Sequence, residues 1–257
     1  MPELAEVEIA RRALSERLVG RGEVSLELRD PRLLKAGVPG TAAPVEAVRR
    51  RAKWLLLDLG DEIWCLHLRM TGRLTRQDGR GVRAVFRPAE GPPVWLEDRR
   101  CLGELHVIPA SEEAAWVAER RLGDEPWPEV RPGSWWQSRL GDLRSAVKVA
   151  LLRQDRVAGL GNIAASEILW RAGIAPTLPA RSVPLAAWQR VGRETVAHLD
   201  HLLAVEDADI VYVTQGGDNP FWIYGREGEP CPRCSASILR SVQSGRATFA
   251  CPICQAL

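Results

Sequence analysis

The chain has 257 residues, of which 46% are hydrophobic and 26% charged, with a formal net charge of +2. This is ordinary globular composition and excludes a disordered or fibrous chain, while so small a net charge does not by itself demand a nucleic-acid partner. No apolar run approaches the roughly 20 residues that span a bilayer. The N-terminus also lacks a basic segment followed by an apolar core, so a cytoplasmic protein with reduced thiols is expected.

Leu4, Val7, Ala10, Leu14 and Leu18 recur at helical spacing, with Gly20 and Gly22 as the stop. From Val24 to about Pro109 the pattern changes to short strands, "VSLEL", "WLLLDLG", "IWCLHLRM", "RAVFRP" and "PVWLED", separated by Gly, Pro and Asp turns as in a sandwich or barrel. Glu112, Glu113, Glu119, Asp124, Glu125 and Glu129 then make an acidic stretch. "DEPWPEVRPGS" (124–134) holds three prolines and reads as a linker. Helical periodicity returns from about Trp135 to Leu203, interrupted by "GLGN" and "APTLPA". Between Asp142 and Arg171 the charge is mainly basic, through Arg144, Lys148, Arg153, Arg156 and Arg171. This concentration suits a polyanion-binding face, although a solvated helix face would look the same. The last segment, from about Tyr224, is rich in Gly, Cys and Arg and too small to build its own core. The expected organisation is therefore multidomain α+β, with units at 1–123, 135–223 and 224–257 and the linker at 124–134.

Three motifs carry chemistry. "CPRC" and "CPIC" place Cys231, Cys234, Cys251 and Cys254 as two C-x2-C knuckles around a 16-residue spacer. Two intervening residues let both thiolates of a knuckle reach one tetrahedral zinc, and the spacer suits a β-hairpin with Arg246 at its tip. An iron–sulfur site is the weaker alternative. One structural zinc ion is expected, with Cys65 and Cys101 as core or incidental thiols. "LLRQDRVAGLGNIAASEILWRAGI" (151–174) places an apolar helix ending near Gln154 before a glycine turn. Asn162 is the expected N-cap of the next helix, whose N-terminus could face a phosphate. The opening "MPELAEVE" places proline after Met1 and carboxylates at Glu3, Glu6 and Glu8. Removal of Met1 would leave a secondary α-amine with an ordinary pKa near ~8, nucleophilic at neutral pH, with Glu3 or Glu6 as general acid. Glu8 reads as an ordinary helix charge.

Taken together, these features resemble the formamidopyrimidine-DNA glycosylase/endonuclease VIII family, along nearly the whole chain and in the same order. The resemblance rests on "MPELAEVE", "RRAKWLLLDL" (50–59), "HLRMTGRL" (67–74), "EDRRCLG" (97–103), "AGLGNIAASEILWRAGI" and "YGREGEPCPRC…GRATFACPIC". It implies an N-terminal β-sandwich with an N-terminal helix, a helix–two-turns–helix domain, a zinc-finger hairpin and a monomer that holds duplex DNA between its halves. The implied activity is that of a bifunctional glycosylase/AP lyase acting on damaged bases and abasic sites. Pro2 would be the Schiff-base nucleophile, Glu3 the acid that opens the sugar, and Glu6 its support. Lys53 would contact phosphate and assist β-elimination, and Arg246 would grip phosphates beside the lesion and assist δ-elimination. Lys148 and Asn162 match phosphate-contacting positions, and Met70 and Arg100 match residues that fill the space of a flipped base.

The sequence departs from the family at four places. Ala5 stands for a second proline, Leu102 for a phenylalanine wedge and Ala164 for an aromatic residue. "TQGGDNPFWIYGREG" (214–228) is shorter than the lesion-capping loop of 8-oxoguanine-specific members. That shortening implies a lesion range not restricted to 8-oxoguanine. A catalytically silent DNA-binding paralogue is the rival reading, and an unrelated zinc-ribbon protein a more remote one.

Overall fold

A computed structural model describes residues 2–205 and 219–256. Residues 2–120 form one compact unit, and residues 121–202 with 219–256 form another.

The first unit begins with α1 (Leu4–Leu18), capped by a box in which the Glu6 carboxylate accepts the Glu3 backbone N–H at 2.9 Å. Ten strands follow: β1 (Glu23–Leu28), β2 (Leu34–Ala36), β3 (Ala43–Pro44), β4 (Ala47–Arg51), β5 (Trp54–Asp58), β6 (Glu62–His67), β7 (Arg73–Thr75), β8 (Val82–Pro88), β9 (Val94–Glu97) and β10 (Glu104–Pro109). They make two five-stranded sheets, ordered β3-β1-β8-β9-β7 and β2-β10-β6-β5-β4. All pairings are antiparallel except β2 with β10. Alternate residues enter the shared core: Leu55 and Leu57, Trp64 and Leu66 from one sheet, and Ala84, Phe86, Val94 and Leu96 from the other. Val7, Ala10, Leu14 and Leu18 of α1 join the same cluster. Complete burial of one such leucine contributes about 2 kcal/mol, so the apolar stripe fixes the helix against the sandwich. α2 (Glu113–Glu119) closes the unit and packs Trp116 edge-on to Trp54.

The four quoted stretches after "VSLEL" become β5, β6, β8 and β9, but β2, β3, β4, β7 and β10 carry weaker signals. β4 reads "AVRRR", a charged run whose strand character comes from its pairing with β5. "IWCLHLRM" also ends early as a strand, at His67, because Arg69 turns into the left-handed region at φ 52°.

The second unit contains α3 (Gly133–Leu140), α4 (Val147–Leu151), α5 (Asn162–Ala172) and α6 (Leu185–Val205). Its core stacks Trp136 on Trp188 with ring centroids 6.4 Å apart, surrounded by Leu140, Val147, Leu151, Leu160, Ile168 and Val191. The hairpin β11 (Leu239–Gln243) and β12 (Arg246–Ala250) follows. The hairpin borrows its core from α5: Ile223, Ile238 and Phe249 cluster with Trp170. No helix among the described residues is long and apolar enough to cross a membrane.

Candidate functional site

In the first unit the N-terminal residues are unusually enclosed. Pro2, Glu3, Glu6 and Glu8 are all buried, and Ala5 packs fully inside the first helical turn. The bond from the Glu3 N–H to Glu6 fixes the backbone next to Pro2. A buried carboxyl pair at the start of a helix also sits in the field of its positive end.

Lys53 lies at the tip of the β4–β5 hairpin, where Arg51 pairs with Trp54 and only Ala52 and Lys53 form the turn. Ala52 adopts φ 53°, a conformation that costs a non-glycine residue about 1 kcal/mol or more. Arg50 holds this turn by donating from Nη1 to the Ala52 carbonyl at 2.9 Å. Its Nε meets the Glu8 carboxylate at 3.2 Å, with both side chains almost wholly buried. Glu8 also accepts from Arg11 at 2.9 Å and Arg12 at 3.1 Å. Burial opposes ionisation of Glu8, but the three arginines outweigh it and hold the carboxyl below its ordinary range. Glu8 is therefore not a plain helix charge: it ties α1 to the Lys53-bearing turn. The spacing of Glu8 to Arg11 and Arg12 was a visible signal; its link to Arg50 was not.

Met70 and Leu102 are exposed apolar side chains, at 46% and 39%, on the segments 68–72 and 98–103 of the same unit. Arg100 is exposed beside Leu102. His67, at the end of β6, is buried against Trp54 with ring centroids 4.8 Å apart. Burial, with help from Arg69 and Lys53, lowers its pKa to about 3, so the ring is neutral. Its Nδ1 accepts the Arg69 N–H at 2.9 Å and so shapes the loop before Met70. Cys65 is buried in β6 with its thiol pushed up to about 12 by burial, as expected of a core cysteine.

In the second unit the predicted residues converge on one carbonyl. Lys148, on α4, donates from Nζ to Ala247 O at 2.8 Å and to the Thr248 hydroxyl at 2.6 Å. Asn162 Nδ2 donates to the same Ala247 O at 2.9 Å and to the Tyr224 hydroxyl at 3.1 Å. Ala247 is the residue after exposed Arg246, so both side chains brace the strand that presents that guanidinium. One expectation, the N-cap, is corrected here. Lys148 is fully buried, and its Nζ is engaged by the hairpin. Asn162 is the first helical residue and Gly161 is the N-cap, because the amide side chain is drawn away to Tyr224 and Ala247. Ala164 is buried in the helical core, where its small side chain packs and touches no solvent.

Glu167 has no counterpart among the residues picked from sequence. Its buried carboxylate accepts the backbone N–H groups of Trp222, Ile223 and Tyr224 at 2.8–3.0 Å. Burial raises its pKa against the pull of those three donors. Because its partners are main-chain groups, no side-chain pattern announces it. It anchors the second part of the segment 214–228; residues 214–218 lie outside the described residues.

Cys231, Cys234, Cys251 and Cys254 bring their sulfurs within 4.8 Å of one another. The Cys231–Cys254 and Cys234–Cys251 separations are 3.9 and 3.4 Å. Tetrahedral zinc with Zn–S bonds of about 2.3 Å puts sulfurs ~3.8 Å apart, and the four thiolates fit it.

Family models match along the chain: the formamidopyrimidine-DNA glycosylase N-terminal domain at residues 1–105, the formamidopyrimidine-DNA glycosylase H2TH domain at 122–213, and the zinc finger found in FPG and IleRS at 228–257. The chain belongs to the formamidopyrimidine-DNA glycosylase family. A formamidopyrimidine-DNA glycosylase of Streptococcus thermophilus is 35% identical over 273 residues, covering 99% of both chains. Among solved structures, Lactococcus lactis Fpg bound to DNA with an oxidised pyrimidine aligns with TM-score 0.88 and 28% identity over the whole of both chains. MutM bound to DNA with carbocyclic 8-oxo-G aligns equally well, at 0.88 and 29% over both chains. The helix, sandwich, helical unit and four-cysteine finger of this chain are thus the family's fold, and the family is one of DNA-repair enzymes.

Proposed function

We propose that this chain is a monomeric bifunctional DNA glycosylase/AP lyase that excises oxidised bases from duplex DNA. The observation that supports it best is the enclosed start of α1: Pro2 directly precedes Glu3, whose N–H is fixed by Glu6. After loss of Met1, the Pro2 nitrogen attacks C1′ of the damaged nucleotide. The glycosidic bond breaks, the base leaves with a proton, and Glu3 protonates the sugar ring oxygen as the ring opens to an iminium. That cation is the electron sink for removal of the C2′ proton, and the C3′–O bond then breaks with phosphate as leaving group. Lys53, on its braced turn, contacts phosphate and assists this β-elimination. Arg246 grips the neighbouring phosphates and assists δ-elimination where it follows.

Met70, Arg100 and Leu102 probe the duplex, since C1′ and the base are shielded inside a stacked helix and must be exposed by flipping. Leucine gives a smaller stacking surface than an aromatic wedge. Asn162 lies beside Arg246, with Lys148 supporting it from within. One zinc ion, held by Cys231, Cys234, Cys251 and Cys254, has no chemical part; it fixes the hairpin. The lesion range extends beyond 8-oxoguanine to oxidised pyrimidines and formamidopyrimidines, supported by the short 214–228 segment. The protein acts in the cytoplasm, at the genome.

Borohydride reduction of a mixture with abasic-site DNA tests the chemistry. A covalent adduct that disappears in Pro2→Gly is the expected result, together with an N-terminus lacking Met1 by mass. Binding without any adduct would favour the silent paralogue. Excision of 8-oxoguanine opposite cytosine far ahead of every other lesion would overturn the broad range.

A further inference from the structure

The segments carrying Met70 and Leu102 are the two places where the chain changes sheets on this side of the sandwich. Residues 68–72 lead from β6 to β7, and residues 98–103 lead from β9 back to β10. β6 pairs with β10, and β7 pairs with β9, so the two crossovers run beside each other. Asp98, the first residue of the second crossover, is completely buried. One carboxylate oxygen accepts the Thr71 hydroxyl from the first crossover. The other accepts the Gly103 N–H of the second at 2.6 Å. Ion pairs flank it on both sides, Arg69 with Glu104 and Arg73 with Glu97, each at 2.6 Å.

Each crossover is tightly wound on itself. A Cβ at Gly72 would lie 2.4 Å from Leu68 O, and one at Gly103 would lie 3.2 Å from the Asp98 carboxylate. Each crossover also holds one non-glycine residue in the left-handed region directly before its exposed apolar tip: Arg69 before Met70 and Cys101 before Leu102, both at φ 52°. Such backbone persists only where its surroundings over-determine it. His67 holds Arg69, and Arg83 holds the second loop by donating to the Asp98 and Arg99 carbonyls at 2.7 and 3.3 Å. Both oxygens of Asp98 face donors, one from each crossover.

We propose that Asp98 is a positioning residue that locks the two crossover loops into one rigid jaw, so that Met70 and the Arg100–Leu102 tip enter the duplex together. The proposal rests on the DNA-glycosylase reading above. Asp98 then serves base extrusion and has no part in the sugar chemistry. A substrate with no base to extrude and no partner strand separates the two steps.

The test compares single-turnover excision of a lesion from duplex DNA with lyase cleavage of a single-stranded abasic oligonucleotide. In Asp98→Ala both acceptors are lost, and Thr71→Val removes one bond only. Both variants are expected to lose about tenfold or more in duplex excision, as misplaced binding groups do, with single-strand cleavage changed by less than about twofold. Thr71→Ser, which keeps the hydroxyl, should restore duplex excision. Fluorescence of 2-aminopurine opposite the lesion should show slower unstacking in the first two variants. Equal losses on both substrates, or unchanged duplex excision in Thr71→Val, would overturn the proposal. Should Asp98→Ala fail to fold, Thr71→Val against Thr71→Ser decides it alone. If the parent protein cleaves neither substrate, the glycosylase reading itself has failed, which is a different result from parent-like variants.

Discussion

Two hairpins present a cation in this molecule, and they are built on opposite principles. The β4–β5 turn holds Lys53 in a buried setting, and side-chain chemistry fixes it: Arg50 on the Ala52 carbonyl, Glu8 on Arg50. The β11–β12 turn leaves Arg246 exposed and takes its shape from its backbone and the four-cysteine cluster behind it. Ser244 and Gly245 have φ 49° and 74°, the pair of positive values that a two-residue turn matched to strand twist requires. The four cysteines close the far end, and Lys148 and Asn162 brace it at one carbonyl. A cation set into an enclosed turn is positioned by its own unit's charges. A cation on an exposed turn needs external supports, and here they come from helices of the same unit.

The largest effect should come from breaking the second design. Structural zinc contributes on the order of 10 kcal/mol in isolated fingers, far more than this hairpin's small cluster can supply. Chelation, or Cys251→Ser, should remove amide exchange protection across Leu239–Ala250 and abolish strand incision. Protection around Ala52 and Lys53 should stay as in the parent. Equal loss at both hairpins would show that the two are not independently held.

A smaller but sizeable effect should follow from breaking the first. Glu8→Gln leaves Arg50 buried without its counter-charge, which costs about 3 kcal/mol for pairs so enclosed. The pH dependence gives the sign. Glu8 is held below its ordinary value of 4.5, so its contribution is present above that pH and is lost as pH falls through the lower folded value. Parent stability should therefore drop on acidification below about pH 4.5, and the Glu8→Gln profile should be flatter there. Denaturant melts at several pH values measure both; a Glu8→Gln curve parallel to the parent's would remove Glu8 from the account.

The same contrast separates what the sequence disclosed from what it hid. The four-cysteine cluster was legible because the spacing of its two knuckles alone dictates that geometry. Glu8 was half legible: Arg11 and Arg12 lie one helical turn away, but Arg50 comes 42 residues later and reaches it only through the packing of α1 on β4. Lys148 and Asn162 were picked out as residues, but their shared bond to the main-chain carbonyl at 247 was not visible in the sequence. Glu167 was invisible for the same reason, having three main-chain donors as partners. β4 was hidden by its arginines, one of which, Arg50, proves to be the brace itself. Local spacing is written in the chain; a bond to distant backbone leaves no side-chain signature.

The smallest effect is the most discriminating, because it swaps the turn residues between the two designs. Ala52→Gly removes a left-handed alanine, worth about 1 kcal/mol or slightly more, but adds unfolded-state entropy of about the same size. Stability should change by less than about 0.5 kcal/mol. Gly245→Ala runs the other way: a Cβ there meets nothing within 4 Å, so only the backbone at φ 74° resists it, at about 1 kcal/mol. If the first turn is held by Arg50 and Glu8, its glycine variant keeps a fixed Lys53 and parent-like cleavage of abasic DNA. If the alanine itself fixes the turn, cleavage falls several-fold while the melting curve hardly moves. Among the described residues the Lys148 and Asn162 braces act at Ala247, beyond the turn's own Ser244 and Gly245, so Gly245→Ala should lower incision and stability together. Paired melting and cleavage measurements on the two variants distinguish a turn positioned by its neighbours from one positioned by its own backbone.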